Sequence, residues 1–551
     1  MRTALKALLA LFFTTLIAFH LASNTWAQGS YTLLQFSGPD YHYLTPTHLA
    51  ENNTVFASSD PNYGGTDTVA HYWTEGSGVQ SLGSFGGGET VITAVNDGAM
   101  AVGYSKGSSW QSYAFKWTAT GGLQALTSMT ETGSRALDVN KNGVIAGSFS
   151  DGDFTAGTFQ QKAVIWTEQG SMTDLGSLPG HTDHSANLIN DNNMVAGLAW
   201  NPITSGYSAF VWTQESGIIP LGDLEGGTGQ VIPYAINNQG VVIGTSNGPG
   251  GWARTFRWTP SQGMMKIETG QSYHVWPSHL NESGMVAVNA YNPFANAYKS
   301  FFWSASTGTV AINPSAVSVA VRDMSEKGTI IGIAGEYPSY VGYVWSLADG
   351  YTLLEATPGL RYLPNDINAN DQVAGYAYND QQSTAFAWNK QSGIVDVSGD
   401  SLYSQSTLIN NNGWLAGSMT LADYSNKVAV WKPAGPQYQF SGFLQPIESS
   451  PALNKMKAGG AVPVKFKLGG NYGMDILLAP PSSQVTSCAA GTGDPVGETV
   501  NAGTSSLHYD AATGTYVYIW KTDKSWANSC RILEFRFKDG SKFQAVFQFT
   551  K

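Results

Sequence analysis

Residues 188–224 hold the pattern that decides the fold: LINDNNMVAGLA at 188–199, AFVW at 209–212 and GIIPLGDL at 217–224. The first block is two apolar runs joined by an Asn-rich turn, and Asn tolerates the positive φ that a tight hairpin demands. The second block ends on Trp212, two residues after Phe210, and residues two apart in a strand share a face. The third block reads as one more short strand, which makes roughly four strands in the unit.

The same unit recurs along the chain. Its turn returns as AVNDGAMAVGYS from Ala94, DVNKNGVIAGSF from Asp138, AINNQGVVIGTS from Ala235 and LINNNGWLAGSM from Leu408. Asn193 and Asp371 stand where other units have the turn Gly. The Gly that closes the block (Gly103, Gly147, Gly197, Gly244, Gly332, Gly375, Gly417) leaves room for a neighbouring backbone or side chain. The aromatic strand returns as AFKW at 114–117, TFRW at 255–258 and AFAW at 385–388, and the last as GVQSLGSF at 78–85, SMTDLGSL at 171–178 and GYTLLEAT at 350–357. Nine tryptophans, Trp73, Trp117, Trp166, Trp212, Trp258, Trp303, Trp345, Trp388 and Trp431, are 42 to 49 residues apart. Their even spacing marks these Trp and their Phe neighbours as packing between units.

A four-stranded unit of this length cannot bury both faces alone and must stack on its neighbours. A ring of such sheets is a β-propeller, here of about eight or nine blades; an open β-solenoid is the competing arrangement. The first unit is degenerate, with ENNTVFAS in place of the Gly-ended strand. YTLLQFSG at 31–38 matches YTLLEATPG at 351–359, so it can open the first unit or complete the last.

These residues carry a family resemblance. An Asn-rich Gly turn, Ala-Phe-x-Trp and Gly-x-x-x-Leu-Gly resemble the HAF repeats of bacterial extracellular proteins over about 400 residues. The His that names those repeats is replaced by Tyr113, Ser208 and Thr384, so the resemblance implies a fold and transfers no site residue.

The repeat stops after KPAGP at 432–436. QYQFSGFLQPI, AVPVKFKLGG, TYVYIWKTD, CRILEFRFKDG and KFQAVFQFT then read as alternating strands of a β-sandwich. Pro463, Val464, Lys465 and Phe466, with YDAATGTYVYIWKTD from Tyr509, resemble the PxKF domain of bacterial secreted proteins, which implies an immunoglobulin-like accessory domain without catalytic residues. The expected organisation is a signal peptide at 1–27, a propeller at 28–435 and a sandwich at 436–551.

Composition and charge narrow the function classes. Of 551 residues only 12% are charged, with 63 Gly, which disfavours helical bundles and charged disorder. Residues 28–435 hold 15 basic and 31 acidic residues, a balance of −16; residues 437–551 hold 11 and 8, a balance of +3. An acidic body lacks the basic stripes that nucleic acid requires. Arg2 and Lys6, the apolar run 7–21 and the small Thr25 and Ala27 read as a secretory signal cut after Ala27, leaving no membrane span in the mature chain. In an exported protein Cys488 and Cys530 are expected to form a disulfide.

The sequence has no Asp-box turns, no Gly-x-Ser-x-Gly elbow, no phosphate loop and no zinc-protease helix motif. His181, Asp183 and His184 in GHTDHS read as a polar loop instead of a metal site, and Asp151 with Asp153 and Asp223 with Glu225 read as surface pairs. No catalytic residue, metal ligand or cofactor is assigned. The aromatics off the repeat, Trp110, Trp200, Trp252 and Trp276, are the candidate ligand-binding residues, since loops on a rigid scaffold usually carry function. The expectation is an exported, non-catalytic protein, secreted or on the cell surface, that binds an extracellular glycan or protein. The alternative is a polysaccharide hydrolase or lyase with acidic residues on the ring's central face.

Overall fold

A computed structural model of the chain describes residues 27–28, 31–36, 44–59, 68–108, 111–129, 133–151, 160–227, 229–313, 318–336, 339–390, 392–433, 438, 440–449, 452–474, 476–477, 480–488, 506–537 and 542–551. The signal segment up to residue 26, the hinge at 434–436, Trp110 and Asp153 lie outside them. The chain divides into two compact units, Met1–Lys432 and Pro433–Lys551.

The repeat folds as nine four-stranded antiparallel sheets. Blades 1 to 8 occupy residues 44–81, 86–125, 134–174, 182–220, 231–266, 274–311, 319–353 and 361–396. Blade 9 takes three strands from 403–433, and its outermost strand is Tyr31–Phe36 from the other end of the repeat body. That strand therefore completes the last unit and does not open the first. It resembles 351–353 because both are outermost strands. The degenerate first unit is a full blade, with His71 in the usual Phe position and bonded to Ser59 Oγ at 3.0 Å.

Nine hydrophobic clusters fill nine interfaces, each built from the Trp strand of one blade and the inner strands of its predecessor, with a Leu, Ile or Val that follows the predecessor's last strand in eight of them. Between blades 1 and 2, Phe56, Ala70 and Leu82 meet Phe115 and Trp117. Between blades 3 and 4, Ala146, Ala163 and Leu175 meet Phe210 and Trp212. The last interface joins the chain's ends: Trp414, Ala416, Val428 and Val430 of blade 9 pack with Val55, Ala57 and Trp73 of blade 1. Phe36 stacks on Trp73 with centroids 5.2 Å apart. The ring is closed, which excludes the open solenoid.

The turn and the Gly do the work expected of them. The fourth turn residue has positive φ in every blade: Asn53, Ala99, Gly143, Asn193, Gly240, Gly284, Gly328, Asp371 and Gly413. In blade 2 it is Ala99, and the preceding Gly98 is not strained. A Cβ on Gly197 would lie 2.3 Å from both the Ser185 carbonyl oxygen and the Phe210 ring. Only Gly lets the second strand approach the first so closely.

The second unit contains two four-stranded sheets. One runs Phe443–Leu444, Ala461–Phe466, Thr515–Lys521, Ser506–Asp510; the other runs Leu453–Lys457, Lys542–Thr550, Cys530–Arg536, Ser482–Thr486. Both contribute to one aromatic core that includes Phe466, Tyr516, Trp520, Phe535 and Phe547. Cys488 and Cys530 form a disulfide, with Cα atoms 5.3 Å apart.

Candidate functional site: an aromatic arc and a stapled channel

Successive strands of a blade run in opposite directions, so the ring has two unlike faces. One carries the tight Asn turns. The other carries the connections between second and third strands and between blades, which vary in length from blade to blade. Three of the four proposed binding tryptophans lie on this second face, on blades 4, 5 and 6.

Trp200 ends the strand Val195–Asn201 and meets Tyr207 edge-on at 5.0 Å. Trp252 follows the short turn Pro249–Gly251 and lies 4.7 Å from His274 and 5.9 Å from Tyr273 of the next blade. Tyr273 continues to Phe294 at 5.4 Å. Trp276, on the first strand of blade 6, lies 6.2 Å from Tyr298, which contacts Tyr291 at 4.9 Å. Asx turns hold the loop tips outward: Asn201 Oδ1 accepts from Ile203 N, and Asn292 Oδ1 accepts from Phe294 N. Ile203 and Phe294 are 88% and 80% exposed, so among the described residues the arc presents apolar surface to solvent.

The central channel holds the chemistry that the sequence motifs did not point to. The first strands of successive blades surround it, and each has a β-bulge three residues before its turn residue, at Thr47, Thr93, Leu137, Asn187, Tyr234, Ser278, Arg322, Asn365 and Thr407. A bulge re-aims side chains and breaks the regular ladder. Side chains then link one first strand to the next. Arg322 Nη1 donates to Asn365 Oδ1 at 2.7 Å, and Asn365 Nδ2 donates to the Ser406 carbonyl at 2.9 Å. Asp138, Asp323 and Asp366 accept from the backbone N–H of Ile189, Ile367 and Ile409 in the following blades, at 2.8, 3.1 and 2.8 Å.

At the turn, a buried Asn closes the circuit. Its Oδ1 accepts from the backbone of its own hairpin and its Nδ2 donates to the equivalent carbonyl of the next blade. The chain of bonds runs Asn96 to Asn140, Asn140 to Asn190, Asn190 to Asn237 and Asn237 to Asn281, at 2.9 to 3.1 Å. It resumes from Asn368 to Asn410 and from Asn410 to Ala50, across the closure. Asn was expected for its tolerance of positive φ; the buried Asn instead precedes that position by three residues and serves as an inter-blade staple. Beside it, Asp97, Lys141, Asp191, Asn238 and Glu282 line a polar recess of about 240 Å³ at the channel mouth.

Ser278 Oγ lies 2.8 Å from His279 Nδ1, and His279 Nε2 lies 3.0 Å from Asp323. Burial and the neighbouring Asp323 charge push the Asp366 carboxyl well above its usual range. Although burial opposes it, hydrogen bonds from His279 and Asp366 hold Asp323 below its own. The two carboxyls thus share one hydrogen bond and are pushed in opposite directions. A glycosidase needs its carboxyls at least about 5 Å apart, with sugar or water between them, and a hydrogen-bonded pair leaves no such gap. Burial also raises Asp138. The available signal was positional: Asp138, Asp323 and Asp366 each stand two residues before the turn residue.

The remaining candidates have local roles. His184 Nε2 accepts from Leu178 N at 2.9 Å, and His181 Nε2 bonds Ser208 Oγ at 2.9 Å. Asp223 accepts from Gly229 N and from Ser246 Oγ, and Asp151 pairs with Lys162. Among the described residues no three His, Cys, Asp or Glu converge as a metal-ligand set, and no helix is long and apolar enough to cross a membrane.

No family model and no curated protein matches the sequence. Among solved structures, the dipeptidyl peptidase 4 of Porphyromonas gingivalis is similar over 69% of this chain and 68% of its own, at 8% identity and a TM-score of 0.41. TolB from Acinetobacter baumannii covers 59% of this chain and 76% of its own at 10% identity and 0.27. The Aleuria aurantia lectin covers 46% and 95% at 9% identity and 0.22. Likenesses this distant say nothing of chemistry. The class of protein, a closed β-propeller followed by a two-sheet module, rests on the strand order itself.

Proposed function

We propose that this chain is an exported, non-catalytic binding protein, and that its ligand, an extracellular glycan, lies across the loop face of blades 4 to 6. The observation that carries this reading is the placement of three aromatic groups, Trp200 with Tyr207, Trp252 with Tyr273 and Phe294, and Trp276 with Tyr298, on the loop face of three successive blades. Exposed aromatic faces stack on sugar rings, and their edge-on mutual packing keeps them rigid. The signal-like N-terminus and the resemblance to HAF repeats support export. The C-terminal module is read as an immunoglobulin-like PxKF attachment domain, a reading that its A-B-E-D and A′-G-F-C type strand order supports.

The test is incubation of the purified protein with a polysaccharide panel, following both retention and the release of new reducing ends. Retention without product is expected, and Trp252→Ala is expected to weaken it by about tenfold, the loss of roughly 1.4 kcal/mol. New reducing ends, or retention unchanged in Trp200→Ala, Trp252→Ala and Trp276→Ala alike, would overturn it.

A further inference from the structure

The module after residue 433 has a recess of its own, of about 660 Å³, lined by Phe440, Ser441, Lys467, Gly469, Gly470, Tyr509, Thr513 and Gly514. Its volume is within the range of small-ligand sites. Two of its walls are aromatic. The Phe440 ring is fixed by stacking on Phe543 at 3.7 Å, and Tyr509 is braced against Tyr516 at 4.7 Å. A third wall is bare backbone, because Gly469, Gly470 and Gly514 have no side chains to fill the space. Lys467 is exposed, and among the described residues its ammonium has no acidic partner.

Asp510, on the same hairpin as Tyr509 and Thr513, is committed elsewhere. It accepts from Thr513 Oγ1 at 2.6 Å and from Ala512 N at 3.0 Å, which ties it into the turn between the two strands. A cation without an acidic partner among the described residues thus lines the same recess as two fixed aromatic rings, with glycine backbone amides and carbonyls beside them. That combination suits a ring with apolar C–H faces, several hydroxyls and one negative charge. The charge balance of the chain agrees: +3 over residues 437–551 against −16 over residues 28–435 favours an anionic ligand at the module and opposes it at the ring.

We propose that this recess is a binding site for an acidic sugar residue of an extracellular polysaccharide. Lys467 neutralises the acid group, Tyr509 and Phe440 contact the ring faces, and the Gly backbone takes the hydroxyls. This site is separate from the aromatic arc, so either can fail without the other.

The experiment is affinity electrophoresis of the full chain in gels containing polygalacturonate, dextran sulfate or unmodified dextran, at low and physiological salt. Retardation by an acidic polymer beyond that in dextran is expected, falling with salt. The two acidic polymers tell a carboxylate from a sulfate ligand. Lys467→Met should weaken the acidic retardation at least fivefold and flatten its salt dependence, Lys467→Arg should restore it, and Tyr509→Ala should weaken it about tenfold with an unchanged circular dichroism spectrum. Equal retardation in all three gels would overturn the proposal, as would acidic retardation that survives Lys467→Met. Retardation lost in Trp252→Ala but kept in Lys467→Met would move the acidic sugar to the ring and overturn it as well.

Discussion

The ring and the module are both all-β, yet they hold together in opposite ways. The ring has nine small interfaces of similar make, each with one aromatic strand facing the small residues of the preceding blade. Side-chain staples from Asn and Asp link the first strands of most blades. The module has a single core crowded with aromatic rings, and it alone contains a disulfide. Nine repeats can spread their stability over many contacts, provided that the circle is closed. A unit of little more than 100 residues has one core to rely on and gains more from a covalent tie.

The sharpest way to break this contrast is to open the circle. Deletion of residues 28–36 removes Tyr31, Leu33, Leu34 and Phe36 from two interface clusters, at roughly 1.5–3 kcal/mol per apolar side chain. Thermal unfolding should show the ring transition lowered on the order of 6 kcal/mol, or lost, with the module transition unmoved. A ring transition that stays in place would mean that closure contributes little. Next in size is the disulfide: Cys488 and Cys530 are 42 residues apart, and Cys488→Ser with Cys530→Ser should cost the module about 3–4 kcal/mol. The ring should not respond; a shift in its transition would show that the two units unfold as one.

A smaller effect is expected from a single staple. Asn190→Ala removes the donor to the Asn237 carbonyl and the acceptor for Asn192 N and Met194 N, at a cost of about 1–3 kcal/mol in urea unfolding. A Gln replacement, which cannot reproduce the turn, should not rescue it. The smallest difference is in acid response. Lys542, Arg536 and Gln544 hold Glu534 at about 2, below its ordinary 4.5, so its contribution is present above pH 4.5 and is lost as pH falls towards 2. Asp366 is shifted the other way, so protonation favours the folded ring at this group while it weakens the module at Glu534. Glu534→Gln should flatten the module's acid slope, while Asp366→Asn should leave that slope unchanged. Equal acid slopes for the two transitions would remove the distinction.

Much of the ring could be read from the chain because its signals are local and repeated. Trp212 two residues after Phe210 fixes a strand face, and Gly197 marks a close approach whose partner, the Ser185 carbonyl, lies in the adjacent strand. What depends on a neighbouring blade was harder to see. Asn190 looks like any turn residue until its Nδ2 is found on Asn237, 47 residues away. Ser278, His279 and Asp323 come together only through bulges on two adjacent blades, and no spacing within a unit encodes that meeting. Trp200, Trp252 and Trp276 are recognisable as aromatics outside the repeat, but Tyr273 and Phe294, which extend the Trp252 group onto the next blade, carry no distinguishing pattern. The recess around Lys467 was equally hidden, since its walls are glycines from two separate turns.

The strand Tyr31–Phe36 has a consequence for how the protein is made. It leaves the ribosome before any blade of the ring, yet its place exists only when the last blade has been synthesised. The contacts at the seam join residues such as Asn410 and Ala50, 360 positions apart. Blades can form one by one behind it, but the first strand must wait unpaired, an apolar edge exposed for the whole of synthesis.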